Sequence, residues 1–254
     1  HPTPKNANSD DEIDKYFANF NLSDDFKQLI KSAKSGDAES QNQLGIDLMN
    51  GKESVPSDPK EAFKYFQLSA NQNYLEAVIN LGHCYEDGSG TTRDTKQAFT
   101  LYNEAYEQGE VSASLYLGHC YEEGIGCEID KEKAAEMYNI CFQNGIAVAQ
   151  YGRCLLLGIG IESNPQAAFD LISSFDENQD NGLTLLKGLY HELALDIQES
   201  INCYNRAIDQ GNEEAKIRLA LLLLSMGVVA SNQRIKSNFS SITSFDYHIG
   251  NEDP

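Results

Sequence analysis

The side chains with the most reactive chemistry occur as two adjacent pairs, His83-Cys84 and His119-Cys120. Each pair lies in a nearly identical stretch: LGHCYEDGSG begins at Leu81, and LGHCYEEGIG begins 36 residues later. A cysteine acts as a nucleophile when a neighbouring base lowers the pKa of its thiol. Residues adjacent on a helix point about 100° apart, so neither histidine is placed to activate the cysteine beside it. The pairs therefore do not predict a thiol enzyme.

A second chemistry for the same residues is metal binding. Such a site would require two histidines on neighbouring stacked helices, here His83 and His119, with carboxylates nearby. No cysteine pair has the CxxC spacing of a zinc ribbon or a thioredoxin motif, and His191 lacks the second histidine of a zinc-protease helix. We therefore expect no catalytic residue, no metal and no cofactor. An enzyme or a metal-binding protein remains the alternative.

The charge of the chain narrows the class of partner. Its 39 Asp and Glu residues against 19 Lys and Arg give a formal net charge of −20 over 254 residues. Phosphate backbones and anionic lipid surfaces repel such a protein, so we expect no nucleic acid and no acidic membrane as a partner. The longest apolar run begins at Leu219 and is shorter than the roughly 18 residues of a membrane span, which predicts no direct membrane insertion.

The cysteines bear on where the protein is located. They are too sparse for a disulfide framework and are typical of small apolar core residues: Cys84, Cys120, Cys127, Cys141, Cys154 and Cys203. They favour a reducing compartment, so we expect a cytoplasmic protein. Because the sequence begins with His1 rather than Met, two alternatives stay open. These are secretion or delivery to a host cell, and a lumenal location after removal of a signal peptide.

The elements that carry these residues belong to an internal repeat. Positions that match Leu81 recur at steps of 37, 36, 34, 35 and 33 residues, at Leu44, Leu117, Tyr151, Leu186 and Leu219. Each unit contains two apolar patterns of helical period joined by a short turn, which predicts an antiparallel helix hairpin. A single hairpin cannot bury its apolar face, whereas stacked hairpins share one core. The two ten-residue stretches are therefore alike because the architecture repeats.

Glycines mark the ends of the first helices. A Gly-x-Gly follows the first helix of a unit at Gly88/Gly90, Gly124/Gly126 and Gly158/Gly160. The first glycine is expected to supply the left-handed conformation that ends the helix, and Asp or Ser is expected to cap the next one. Glycines within the helices, such as Gly82 and Gly118, cost helix propensity and indicate that helices approach closely there.

These motifs carry a resemblance to a known family. The pattern A-x-x-x-L-G-x-x-Y-x-x-G-x-G, then D-x-x-K-A and a second helix, resembles the Sel-one-like repeat, a relative of the tetratricopeptide repeat. The stretch ASLYLGHCYEEGIGCEIDKEKAAEMYNICFQNG is nearly a full match, and the resemblance covers roughly residues 23 to 228. Residues 164–228 depart from the pattern, because Lys187 and Ala220 stand where the alignment expects glycine.

The resemblance and the periodicity imply an all-α, right-handed α-solenoid, a superhelix of about five antiparallel helix-hairpin repeats with N- and C-terminal capping helices. We predict an N-terminal helical cap at 1–36, the repeat solenoid at 37–228 and a polar, Ser-rich tail at 229–254. In the cap, Ser9 and Glu12 form a capping box. The tail carries three apolar residues with which it would dock in its own groove as a regulator or oligomerisation arm: Phe239, Ile242 and Phe245.

The resemblance also implies the function of a non-catalytic adaptor or scaffold. In this superfamily the first helix of each hairpin lines the concave face, where we place the candidate partner-binding residues His83, Glu86, Asp87, His119, Glu122, Glu123, Arg153, Leu156, His191 and Glu192. This stripe is either the solvated face of an acidic protein or a groove for a partner with a basic, or mixed basic and apolar, segment. In a groove, the histidines would make binding pH-sensitive near their ordinary pKa of about 6.5. A secreted or host-delivered bacterial effector that acts through the same surface is the alternative.

Overall fold

The computed structural model describes residues 15–52, 54–175 and 181–226, which form α-helices joined by turns and loops; an isolated β-bridge joins Lys52 and Val55. The helices are α1 (Asp24–Lys34), α2 (Ala38–Asn50), α3 (Pro59–Ala70), α4 (Leu75–Asp87), α5 (Thr95–Glu107), α6 (Ala113–Glu123), α7 (Lys131–Gln143), α8 (Val148–Leu157), α9 (Pro165–Ser173), α10 (Asn181–Leu193), α11 (Ile197–Asp209) and α12 (Glu213–Ser225). The predicted all-α repeat fold is confirmed. The Ser9–Glu12 capping box and the tail lie outside the described residues.

The chain divides into two compact units, His1–Ile146 and Ala147–Pro254. In the first unit, α2 packs on α3, α4 on α5 and α6 on α7, and each pair also packs on the next. Residues 15–17 are helical at the start of this unit, where Phe17 is buried against the ring of Phe26. In the second unit, α8 packs on α9, α10 packs on α11, and α12 follows α11. The core of each unit therefore lies both within the hairpins and between them.

The predicted helix ends are confirmed, except that Asn164 rather than Asp or Ser caps the helix after Gly158/Gly160. Gly88, Gly124 and Gly158 adopt left-handed φ values of 75°, 75° and 70°, and the amide of each donates to a cysteine carbonyl four residues earlier. Seven residues later the second helices begin, because the side chains of Asp94 and Asp130 accept a hydrogen bond from an amide in the first turn. The segments from glycine to Asp are thus built alike in successive repeats.

In the first unit, the second glycine of each Gly-x-Gly fixes one hairpin on the preceding one. A Cβ at Gly90 would lie 2.0 Å from the carbonyl oxygen of Pro59, and a Cβ at Gly126 would lie 2.0 Å from that of Thr95. Pro59 and Thr95 are the first residues of α3 and α5. The loop after one first helix therefore presses on the start of the second helix of the preceding hairpin, at a distance that only glycine permits.

Glycines within the first helices hold the two helices of a hairpin together. A Cβ at any of them would lie between 2.5 and 2.9 Å from one side chain of the second helix. The pairs are Gly45 with Phe66, Gly82 with Tyr102, Gly118 with Tyr138, Gly152 with Ile172 and Gly188 with Tyr204. Glycine in a helix costs about 1 kcal/mol relative to alanine, and the close contact between the two helices offsets this cost.

The fifth repeat corrects the alignment that the sequence suggested. The glycine position there is occupied by Gly188 rather than by Lys187, since Gly188 lies against Tyr204 as Gly82 lies against Tyr102. His191 makes an edge-on contact with Phe169, the contact that Tyr121 makes with Phe99. The first helix is therefore shifted by one residue relative to our alignment. The alignment was wrong because α10 is rich in leucine and only three residues separate α10 from α11.

We predict that Gly126→Ala lowers the free energy of unfolding by about 3 kcal/mol. Alanine in the left-handed region costs about 1 kcal/mol, and overpacking against Thr95 adds about 2 kcal/mol. Urea denaturation measures the change. Gly109→Ala is the matched control, because Gly109 also has a positive φ, of 97°, but a Cβ there would meet nothing within 4 Å. Equal losses in the two variants would contradict the contact between hairpins.

Candidate functional site

A buried tyrosine organises the candidate residues of the first unit. The hydroxyl of Tyr102 donates a hydrogen bond to Glu86 Oε2 at 2.7 Å and lies 2.9 Å from His83 Nδ1. A hydroxyl has one proton and a carboxylate only accepts, so Nδ1–H of His83 must donate to the tyrosine oxygen. Burial raises the pKa of Tyr102 far above its usual range, and the bond to Glu86 adds to the effect. The hydroxyl therefore stays protonated and joins α5 to α4.

His83 is a packing residue as well as a hydrogen-bonding one. Its ring makes edge-on contacts with Tyr116, at 4.5 Å between centroids, and with Tyr102. Burial lowers the pKa of His83, against the opposing charges of Glu86 and Asp87. His83 is therefore neutral at pH 7, and its ring gains a proton at a pH lower than the value of about 6.5 expected from the sequence.

The Tyr–Glu pair recurs in two other hairpins. Tyr138 donates to Glu122 Oε2 at 2.9 Å, and Tyr204 donates to Glu192 Oε2. In each case the glutamate lies four residues after the glycine that contacts the same tyrosine. Three glutamates of the predicted stripe are thus anchored to the second helices, which limits their availability to a partner.

The remaining two hairpins carry apolar residues at both positions of the pair. Phe66 lies on Gly45 and Met49 stands at the glutamate position, while Ile172 lies on Gly152 and Leu156 stands there. Leu156 is 2% exposed and belongs to the core. The expectation that Leu156 contacts a partner is therefore wrong, because its side chain is buried.

The other candidate residues are more accessible. Asp87 and Glu123 are exposed at the ends of α4 and α6. The His119 side chain is 54% exposed, and its Nδ1 lies 3.9 Å from Glu86 Oε1. The first unit thus brings His83, Glu86 and His119 together around Tyr102. In the second unit, Arg153 is partly buried and His191 Nδ1 lies 3.8 Å from Asp196 Oδ2.

A cleft of about 260 Å³ opens between α2 and α4 of the first unit, beside His83. Its apolar side is formed by Ile46, Met49 and Phe66, and its polar residues are Asn50, Asn80, His83, Asp87 and Ser89. The sequence analysis missed the residues of α2. Its stripe began at the second repeat, although Ile46, Met49 and Asn50 stand at the same positions as His83, Glu86 and Asp87. We use the name first-helix face for Ile46, Met49, Asn50, His83, Asp87, His119 and Glu123.

The thiols are poor nucleophiles. None of the six cysteines forms a disulfide, and only Cys127 is not buried. Burial raises the pKa of Cys84 to about 11 and that of Cys120 to about 12, so both thiols are protonated at neutral pH. Among the described residues, no group of three or more His, Cys, Asp or Glu side chains is arranged to hold a metal ion. The described helices also include none that is long and apolar enough to cross a membrane.

The repeats match a known family. Five segments match the Sel1 repeat: 38–74, 75–110, 111–140, 145–173 and 182–212. A comparison with curated proteins gave no match.

The solved structures that are similar to this chain include one with an SLR fold and one Sel1 repeat protein. One is a protective antigen of uropathogenic Escherichia coli with an SLR fold, at 26% identity and a TM-score of 0.61. The match covers 86% of this chain. The chain spans about half, 48%, of the length of that protein. The other is a Sel1 repeat protein from Oxalobacter formigenes, at 23% identity and a TM-score of 0.69, with 92% of this chain and 98% of that chain covered.

Removing the hydroxyl of the first Tyr–Glu pair should destabilise the protein. Tyr102→Phe is expected to lower the free energy of unfolding by about 2 kcal/mol, because a hydrogen bond to a carboxylate is lost in a partly buried place. Urea denaturation measures the change. Tyr106→Phe, on the same helix, is the control and should change the free energy by less than about 0.5 kcal/mol. A loss in Tyr102→Phe no larger than in the control would contradict the role of the pair.

The stability of the protein should fall as the pH drops below about 6.5. The folded pKa of His83 lies below the unfolded one, so the unfolded chain binds the proton more readily and folding becomes less favourable in acid. His83→Gln should therefore flatten the loss of unfolding free energy between pH 7 and pH 5, as measured by denaturation at several pH values. His119→Gln is the matched substitution at a ring exposed to water. An unchanged slope in His83→Gln would disprove the assignment.

Proposed function

Because the chain belongs to the Sel1 repeat family, whose members are protein-interaction scaffold modules, we propose that it is a non-catalytic adaptor that binds a partner protein. The binding site in this proposal is the first-helix face of the first unit. The partner presents a basic segment with apolar residues. The observation that carries the proposal is the cleft between α2 and α4, where the apolar side chains of Ile46 and Met49 lie beside the exposed carboxylate of Asp87.

The chemistry of the cleft supports a basic partner. A lysine or arginine side chain has an apolar stem and a cationic end, which match an apolar wall beside a carboxylate. The net charge of −20 attracts such a segment over a longer range and favours rapid association. Burial of apolar residues then stabilises the complex. A stable interface covers about 800 Å² per partner, so neighbouring residues of the face must contribute.

The Tyr–Glu pairs support the role of a rigid platform. Glu86 and Glu122 are held by Tyr102 and Tyr138, so a partner meets helices whose relative positions are already fixed. A binding surface that is ordered before binding loses less conformational entropy when the complex forms. Asp87 and Glu123 extend from this frame into water and are the acidic residues best placed to meet a cation.

We also propose a reducing location, and thus the cytoplasm. The absence of a disulfide at any of the six cysteines supports it, since an oxidising compartment favours disulfides. Thiol titration of the denatured protein, purified with and without reductant, tests this location. Six reactive thiols are expected in both preparations.

The test of the binding site reverses two exposed charges. Partners are captured from a lysate at low and at high salt, identified by mass spectrometry and then measured with the purified protein. Asp87→Lys with Glu123→Lys is expected to weaken binding at least about tenfold, as is high salt, because the attraction is electrostatic. Glu86 and Glu122 are left unchanged, since their reversal would break hydrogen bonds within the fold.

The matched control applies the same charge change to the second helices. Glu104→Lys with Glu136→Lys alters exposed acids of α5 and α7 and should leave the affinity within about twofold of the native value. A partner that tolerates reversal at Asp87 and Glu123 would place the binding site elsewhere. Equal weakening in the two double variants would show that net charge, and not this face, attracts the partner.

A further inference from the structure

The last described helix, α12, has an apolar stripe that faces water. Ala215, Leu219 and Leu222 are buried in a cluster with residues of α11. Three other residues of the helix, spaced by four and then three positions, form a continuous stripe with large exposed fractions. These are Ile217 at 50%, Leu221 at 58% and Leu224 at 42%. Such a stripe on a surface helix indicates a covering element.

The register of the repeat identifies what kind of element covers this stripe. Ala220 stands at the glycine position of α12. Relative to it, Ile217 lies three residues earlier, Leu221 one residue later and Leu224 four residues later. In the fifth hairpin the same positions are Leu185, Leu189 and Glu192. Leu185 and Leu189 are 9% and 6% exposed, and Glu192 accepts the hydrogen bond from Tyr204 of α11. The stripe is therefore the face that the second helix of a hairpin covers.

We propose that residues 231–249 of the same chain dock on this stripe as the second helix of a sixth hairpin. The chain continues beyond Met226 through residues 227–254. An earlier hairpin uses a loop of seven residues and a second helix of 13 residues, as α6 and α7 do, and this length is available. The segment is placed by covalent connection directly after the helix whose face is uncovered.

The sequence of the segment matches the stripe. Ile235, Phe239 and Ile242 are spaced by four and then three residues, the spacing of Ile217, Leu221 and Leu224. Ser231 and Asn232, which precede them, are residue types preferred at a helix N-cap. Phe239 lies 19 residues after Ala220, whereas Tyr138 lies 20 residues after Gly118. An aromatic residue is thus available close to the position where the other hairpins carry one.

The size of the stripe favours this occupant over a separate protein. Three side chains supply far less than the roughly 800 Å² per partner of a stable interface between proteins. A tethered segment has an effective concentration in the millimolar range, so a small contact is sufficient to hold it. The docking also places Phe239 and Ile242 on α12, rather than in the groove that the sequence analysis considered for the tail.

The test is hydrogen exchange of the full chain with substitutions in the segment. Phe239→Asp with Ile242→Asp should raise the exchange rate of α12 amides about tenfold, because the covering residues are removed. Ser237→Asp with Ser241→Asp adds the same charges on the opposite side of the predicted helix and should leave exchange unchanged. Leu221→Asp, made from the α12 side, should accelerate exchange within residues 231–249, while the mass in solution stays the same.

Each other outcome overturns the proposal. Exchange of α12 that is equal in all variants and the native chain would show that the segment does not cover the stripe. A change in α12 that depends on protein concentration, with the mass in solution falling in the Asp variants, would assign the stripe to a second copy. Protection of α12 that arises only on addition of another protein would assign it to that partner.

Discussion

The contact between a glycine and one side chain of the facing helix, an aromatic ring in four of the five hairpins, determines the geometry of each hairpin. With no side chain at Gly82, Tyr102 lies directly on the backbone of α4. This contact fixes the rotation of α4 about its axis, and with it the direction of every other side chain on the helix. His83 and Glu86, one and four residues after the glycine, flank the ring and meet its hydroxyl. Asp87, five residues after it, is exposed. The candidate face is therefore a consequence of helix packing.

The identity of the packed ring then selects the residue beside it. A buried hydroxyl without an acceptor is costly, so a tyrosine at this position requires a partner, and glutamate supplies it in three hairpins. Where Phe66 or Ile172 replaces tyrosine, a carboxylate would find no donor there, and Met49 or Leu156 stands in its place. Part of the acidic character of the first helices thus serves the fold, and the charge of the stripe overstates what a partner can contact.

Sequence reasoning succeeded where the physical rule is local. Helical period, left-handed glycines and Asp caps each depend on a few neighbouring residues, and they identified the hairpins and their ends. It failed in α10, where several leucines fit the anchor position and the loop is short, so that Gly188 was overlooked. The Tyr–Glu pairs were also missed, because Tyr102 and Glu86 are 16 residues apart and meet only through packing. A comparison of the repeats with one another would reveal the pairs. A repeat with tyrosine on the glycine has glutamate four residues after that glycine, and a repeat with an apolar residue on the glycine has an apolar residue there.

Two adjacent residues of α4 therefore have different roles: Glu86 stabilises the fold, and Asp87 is available to a partner. Glu86 is 18% exposed, is held by Tyr102 and lies 3.9 Å from His119, so a cation that approached it would compete with groups already present. Asp87 is exposed beside the cleft and is one residue further along. A partner can thus use the charge of Asp87 without disturbing the contact that sets the helices. For this reason a substitution at Asp87 changes the charge of the face while the hairpin remains unchanged.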